Sequence, residues 1–233
     1  MNMVDPNAPS GEGSATQRVY KMLRHMIVTG ELEPGEKLKI DSLRQRLHTG
    51  ASPIREALSL LTSDNLVERL DQRGFRTAEV SAKNFEELLF LRCTLEDLAL
   101  RESIANATEA WEDAIVLAHH KMQRAKEAGQ ATFEERHKAF HMELLANATY
   151  PILQKFCSQL YDLNIRYRYL AGNALNYQRR DVGEEHRGIL EAAVARDADL
   201  ASDRLLNHYK MTGAFLSGLM GSGTLVRGQA RAG

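Results

Sequence analysis

From Thr16 onward, Val19, Leu23, Met26 and Ile27 recur at spacings of three and four, so one face of a helix is apolar until Gly30 stops it before the turn ELEPGEKL. A second helix is expected from about Asp41, with Leu43 and Leu47 inward and Asp41 capping its N-terminus. A third begins near Ser52. Pro53 sits in its first turn, where a missing amide hydrogen costs nothing, and Ile54, Ala57, Leu58 and Leu61 share one side. Three short helices in succession predict a helix-turn-helix. The stretch LVERLDQRGFRTAEV then shifts to partly alternating apolar positions around Arg73 and Gly74, the pattern of two antiparallel strands joined by a tight turn. That hairpin is a wing.

Beyond Ser81 the three-and-four spacing runs almost to the end, with breaks near Ala107, Gly129, Tyr150-Pro151, Gly172, Gly183 and Asp197. The fold class is therefore mainly α: an N-terminal winged helix-turn-helix followed by an all-α bundle of six or seven helices. Residues 1 to 14 hold too few large apolar groups to offset the entropy of ordering them and read as a flexible arm. The winged unit then covers 15–80 and the helical unit 84–220. The Gly-rich residues 221–233 read as a frayed tail. No repeat of solenoid length is present.

The chain has 233 residues, enough for two domains each with its own core. Its formal net charge of −1 excludes a uniformly basic protein but permits a local basic face. Cys93 and Cys157 lack CxxC spacing and read as reduced, packed thiols. The opening residues lack the basic start and apolar core of a signal peptide, and no apolar run has bilayer length. A cytoplasmic protein with no membrane partner is expected.

Entry into a major groove needs a short exposed helix whose first residues reach base edges, flanked by cations that hold phosphates. The segment TGASPIREALSLL has that form, with Ser52 at its start and Arg55 one turn in. Arg73 and Arg76 flank Gly74 at the wing, suited to a minor groove or its phosphates. Arg44 and Lys39 extend the positive edge. For Arg55 the alternative is an ion pair with a nearby carboxylate such as Glu56.

Of eight histidines, His25, His48, His119 and His120 read as ordinary surface residues. The other four are placed differently. His137 and His141 share a helix face with Phe133, Phe140, Leu144 and Ala148. His186 is centred among Val182, Ile189, Leu190 and Ala193, and His208 among Leu205, Thr212, Phe215 and Leu219. Three helices thus aim imidazoles inward, where either one divalent metal or separate hydrogen bonds must satisfy them. Arg92 falls in the inward stripe of Phe85, Leu88, Leu89, Leu95 and Ala99, and an inward arginine requires an anion. Glu96, one turn on, can supply it. Arg166 flanks the stripe of Phe156, Leu160, Leu163 and Tyr167 as a second inward cation.

The strings VYKMLRHMIVTGELEPGEKL, SPIREAL and LV with a wing ending in RGF, in that order, resemble the N-terminal domain of GntR-family regulators over residues 16 to 80. The resemblance implies that Ser52, Pro53 and Arg55 contact operator DNA and that Gly74 is the wing-tip glycine. Gly50 and Ala51 stand where many members have Ser-Arg, a departure at a base-reading position. Residues 84 to 220 are similar to the FCD domain of the FadR-like branch of that family. This implies metal ligation by His141, His186 and His208, with His137 where aspartate or asparagine is usual. A fourth neutral nitrogen favours zinc, with nickel the alternative, over manganese or magnesium.

The same resemblance implies that Arg92, and less directly Arg166, grips the carboxylate of an organic-acid effector seated on the metal. The segments RHKAFH and LYDLNIRYRY resemble the carbon-starvation regulators of glutarate and 4-aminobutyrate breakdown, pointing to a small dicarboxylate. The function so implied is a homodimeric, effector-controlled repressor binding double-stranded operator DNA. Two alternatives stand beside it: a metal-dependent hydrolase-like enzyme, and a DNA-binding protein whose helical half only dimerises. The first lacks a recognisable general base, since no HExxH occurs and Glu143 and Glu185 adjoin histidines without a distinguishing pattern.

Overall fold

The computed structural model describes residues 14–71, 73–171 and 181–221. The chain divides into two compact units, Met1–Val80 and Ser81–Gly233. The arm expected over 1–14 and the tail expected over 221–233 lie almost wholly outside the described residues.

In the first unit α1 (Ala15–Val28) is capped by Ser14, whose side chain accepts from the Gln17 amide. Its buried face, Val19, Leu23, Met26 and Ile27, matches the apolar spacing. Next come β1 (Lys37–Leu38), α2 (Ile40–Leu47), α3 (Ala51–Ser63), β2 (Val67–Leu70) and β3 (Gly74–Thr77). Leu23 and Ile27 of α1 and Ile54, Leu58 and Leu61 of α3 are completely buried. Here α1 packs on α3, and α2 and β2 pack on α3 as well.

Two details differ from the sequence reading. Asp41 does not cap α2: Lys39 occupies the N-cap without a side-chain hydrogen bond, and Asp41 lies in the first turn, paired with Arg44 at 3.2 Å. The wing also has three strands in the order β1-β3-β2, not two. Two residues carry no alternation, so β1 leaves no signal in sequence. It is held by tertiary pairing, Lys37 opposite Arg76 and Leu38 opposite Phe75. Gly35, at φ +73°, makes the approach to β3 possible, because a Cβ there would collide with the Glu79 carboxylate.

The second unit comprises α4 (Ala82–Ala105), α5 (Glu109–Arg124), a short 3-10 turn (Ala125–Glu127), α6 (Gln130–Leu144), α7 (Pro151–Ala171), α8 (Val182–Val194) and α9 (Ala198–Gly221). Ser81, Thr108 and Asp181 cap α4, α5 and α8 through their side chains. The break expected near Gly183 falls at the start of α8, where Asp181 caps the helix and Gly183 lies in its first turn. The break expected at Gly172 lies outside the described residues. The long helices α4 and α9 pack together, α7 lies against α4, and α8 against α9. Leu100, Ile115, Met122, Phe140, Leu144, Cys157, Ile189 and Leu205 form the core. Trp111 joins it with its indole N–H donating to the Glu143 carbonyl at 2.9 Å. Both cysteines are free thiols. Among the described residues no helix is long and apolar enough to cross a membrane.

Leu58 anchors α3 in the core of the first unit, with none of its surface exposed. Leu58→Ala is expected to cost about 2–5 kcal/mol through lost burial and a residual cavity. Urea unfolding checks it; an unchanged midpoint at unchanged slope would contradict the burial.

Candidate functional site

The hydrophobic side of α3 is fixed in the core, so its opposite side is turned out by helix geometry alone, and Ser52, Arg55 and Glu56 are exposed there. The Glu56 carboxylate accepts hydrogen bonds from Thr16 Oγ1 at 2.7 Å and Ser52 Oγ at 2.9 Å. The carboxylate proposed as an alternative partner for Arg55 is thus engaged elsewhere, and Arg55 makes no ion pair among the described residues. Pro53 is half-buried in the first turn of α3. Arg44 faces solvent with its partner Asp41 largely exposed, an ion pair worth little in water.

At the wing, Gly74 has φ +92° and open space where a Cβ would stand. Arg73 before it is exposed and unpaired among the described residues. Arg76 differs: it lies down β3, with its guanidinium 2.7 Å from Glu68 and 3.8 Å from Glu79. Two carboxylates compensate its charge, whereas Arg73 beside the turn has no ion pair among the described residues.

In the second unit α6 brings in His137 and His141, α8 His186 and α9 His208, all at most 3% exposed. Their donor atoms all lie within 4.8 Å of one another. The Nε2 atoms of His137, His141 and His186 are separated by 3.0, 3.1 and 3.3 Å. A tetrahedral ion with bonds of about 2.0–2.1 Å holds its nitrogens about 3.3 Å apart. Burial, reinforced by neighbouring cations, pushes His137, His141 and His186 well below the usual imidazole range, so these rings are neutral.

A neutral imidazole carries one proton, and the outer partners decide where it sits. Tyr209 donates its hydroxyl to Glu96, so it can only accept from His141 Nδ1, 2.9 Å away. The Glu185 carboxylate, 2.8 Å from His208 Nδ1, likewise accepts there. His137 Nδ1 faces the Tyr161 hydroxyl at 2.5 Å. His141 and His208 therefore keep their protons outside and turn Nε2 lone pairs inward, the form that ligates a metal. Those two inward lone pairs need either N–H donors from His137 and His186 or a divalent cation, and the four-nitrogen donor set fits a cation.

Beside the cluster is a cavity of about 350 Å³, counting all space between its wall atoms, bounded in part by Arg92, His137, Tyr161, Asn164, Arg168 and His208. In this conformation it is narrow, with free room for about one water molecule. Arg92, 5% exposed, donates Nε to Glu96 at 2.6 Å and Nη1 to Asn164 at 2.9 Å. It also stacks over the Tyr209 ring at 4.1 Å. Burial opposes the charge of Arg92, but Glu96 outweighs it and the guanidinium stays protonated. The structural pair with Glu96 is thus formed, and the same arginine faces the cavity.

Arg166 is buried on α7 but is not part of the cavity wall, whereas Arg168 is, with Nη2 2.8 Å from Glu134. Of the stripe that the sequence reading expected on α7, Leu160 and Tyr167 are buried and Arg166 beside them is too, whereas Phe156 is 52% exposed. The α7 residues that line the cavity are Tyr161, Asn164, Ile165 and Arg168, and three of them are polar, which an apolar count does not see. Tyr161, Asn164, Arg168, Tyr209, Glu134 and Glu185 are the site residues that reading missed.

Residues 15–76 match the family described as bacterial regulatory proteins, gntR family, and residues 87–211 match the FCD domain. The HTH-type transcriptional regulator BphR of Paraburkholderia xenovorans is 33% identical over 202 residues, 84% of this chain and 82% of that protein. The HTH-type transcriptional repressor GlaR of Escherichia coli is 30% identical over 197 residues, 81% of this chain and 90% of that one. Among solved structures, E. coli McbR/YncC aligns with a TM-score of 0.77 at 25% identity, covering 88% of this chain and 98% of that one.

Proposed function

The chain belongs to the GntR family of bacterial transcription regulators, with an FCD domain after its helix-turn-helix, and on that premise we propose that it is a homodimeric repressor whose grip on operator DNA is set by a small carboxylate bound beside a metal. The observation that carries this reading is the buried four-histidine cluster opening onto a cavity that also holds Arg92.

In this reading His137, His141, His186 and His208 hold the ion, and four neutral nitrogens favour zinc, with nickel the alternative. The ion would supply the positive charge that seats one effector carboxylate. Arg92 meets the second anionic group, and Arg168 takes the supporting role first given to Arg166, because Arg168 lines the cavity. A small dicarboxylate matches two cationic ends. The narrow interior means that an effector favours a more open form, and that preference is what shifts the protein between states. On the DNA side, Ser52, Pro53 and Arg55 on α3 read the major groove, while Gly74 lets the wing present Arg73 to the backbone or minor groove. Arg44 adds to the phosphate-facing edge, and Arg76 braces the wing through Glu68.

A dimer follows from the reading head, since one short helix contacts few base pairs and two heads on a palindrome multiply specificity. The surface of the second unit supports it. Helices α4 and α7 leave Phe90, Leu98, Ile152 and Phe156 more than half exposed, apolar area that a second copy would cover.

Protein purified without a histidine tag is expected to carry about one zinc or nickel per chain by native mass spectrometry. His141→Ala and His208→Ala should lose it and His119→Ala should keep it; a metal-free parent would return the histidines to packing. Arg55→Ala should weaken operator binding by about 1–3 kcal/mol at matched salt, read by fluorescence anisotropy. Unchanged affinity would remove Arg55 from the interface. Arg92→Lys keeps a charge for Glu96 but loses the two-pronged grip, so operator release should need roughly tenfold more acid. The titration uses glutarate, 2-hydroxyglutarate, succinate and lactate. Equal response of parent and variant to an acid would make Arg92 purely structural.

A further inference from the structure

One unbroken run of hydrogen bonds leaves the cavity wall and ends at the histidine cluster. Arg92 Nε donates to Glu96 Oε1 at 2.6 Å; Tyr209 donates to Glu96 Oε2 at 2.5 Å; the Tyr209 oxygen faces His141 Nδ1 at 2.9 Å. His141 Nε2 then meets Nε2 of His137 and His186 at 3.1 and 3.3 Å. Every member of the run is buried, from 5% exposure at Arg92 to none at Glu96. The geometry points to Tyr209 as a positioning residue that couples the Arg92–Glu96 pair to the ligand strength of His141. This inference rests on the metal and effector reading above and adds how the two ends of that site communicate.

The direction of the coupling follows from the donors. Tyr209 has one proton, given to Glu96, so its oxygen must accept from His141. A stronger pull by the carboxylate leaves more electron density on the tyrosine oxygen. That oxygen then holds the Nδ1 proton more tightly, which makes the opposite nitrogen a better ligand and fixes the ring plane. Arg92 competes for the same carboxylate. An anion that enters the cavity and takes up part of the guanidinium leaves more of Glu96 to Tyr209. Anion binding at Arg92 and metal binding at His141 therefore strengthen each other, and linkage makes the effect reciprocal. Tyr209 is the outer partner of a cluster histidine whose hydroxyl also reaches the carboxylate held by Arg92; the carboxylate of Glu185, partner of His208, is instead partly exposed.

The test needs no knowledge of the effector. Zinc affinity of the full chain is measured by competition with a chromogenic chelator for the parent, Tyr209→Phe, Glu96→Gln and the double variant, and the visible spectrum of each is recorded with cobalt(II) in place of zinc. Tyr209→Phe is expected to weaken zinc binding roughly 10- to 100-fold. Glu96→Gln should weaken it roughly tenfold in the parent and scarcely at all in the Tyr209→Phe background, since the route to His141 is already cut. The cobalt band should move alike in all three variants. If Glu96→Gln does not fold alone, Arg92→Gln/Glu96→Gln, which removes both buried charges, replaces it. Additive losses, or zinc affinity untouched by Glu96→Gln with an unmoved cobalt band, would overturn the coupling and leave the metal reading standing. A parent that takes up neither zinc nor cobalt would overturn both.

Discussion

Burying a polar side chain is costly unless its donors and acceptors find partners, and that requirement organises the interior around the histidines of the second unit. Four imidazoles, the guanidiniums of Arg92 and Arg168 and the carboxylates of Glu96 and Glu134 lie inside a bundle that would otherwise be packed with aliphatic side chains. His141 and His208 settle their protons on the outside, against Tyr209 and Glu185, and His137 Nδ1 meets the Tyr161 hydroxyl. The inner nitrogens are left facing one another. The acceptance of outer protons and the convergence of inner lone pairs are one arrangement seen from two sides.

The same accounting explains why the cavity is small. Arg92 and Arg168 are drawn against Glu96 and Glu134 on or beside their own helices, and these contacts pull the guanidiniums into the wall. A buried charge cannot be left alone, so a ligand that takes an arginine must replace the carboxylate's hydrogen bonds with its own. That favours anions with two oxygens placed to meet a planar fork and disfavours neutral analogues of the same shape. Under the proposed reading, selectivity rests on the resident ion pairs as much as on the shape of the cavity.

The first unit works under a simpler constraint. Helix α3 is short and one side of it, Ile54, Ala57, Leu58 and Leu61, is fully buried. Whatever the opposite side carries must be presented to solvent, and it carries Ser52 and Arg55. The hairpin after it contributes a glycine at positive φ with open space around it, so the tip can approach another molecule closely. Arg76 is drawn down to Glu68 and Arg73 is not. Within the wing, position along the strand thus separates a bracing cation from a presented one.

The helices, their order, the wing and the four inward histidines were legible in the chain because they rest on periodicity, which survives without knowledge of neighbours. His137 and His141 share a face through the pitch of α6 alone, and His186 and His208 were found by the apolar residues around them. Three things were decided only by tertiary structure. Strand β1 exists because β3 offers it an edge, and two residues of sequence cannot show that. Which residues of α7 line the cavity is decided by packing, because Tyr161, Asn164 and Arg168 are polar, and polarity reads as surface until a buried partner is known. The run from Arg92 through Glu96 and Tyr209 to His141 joins residues of α4, α9 and α6, and its bonded pair Glu96 and Tyr209 lie 113 positions apart. Spacing along one helix carries no information about which side chain of another helix will complete a hydrogen bond, and only packing brings those atoms together.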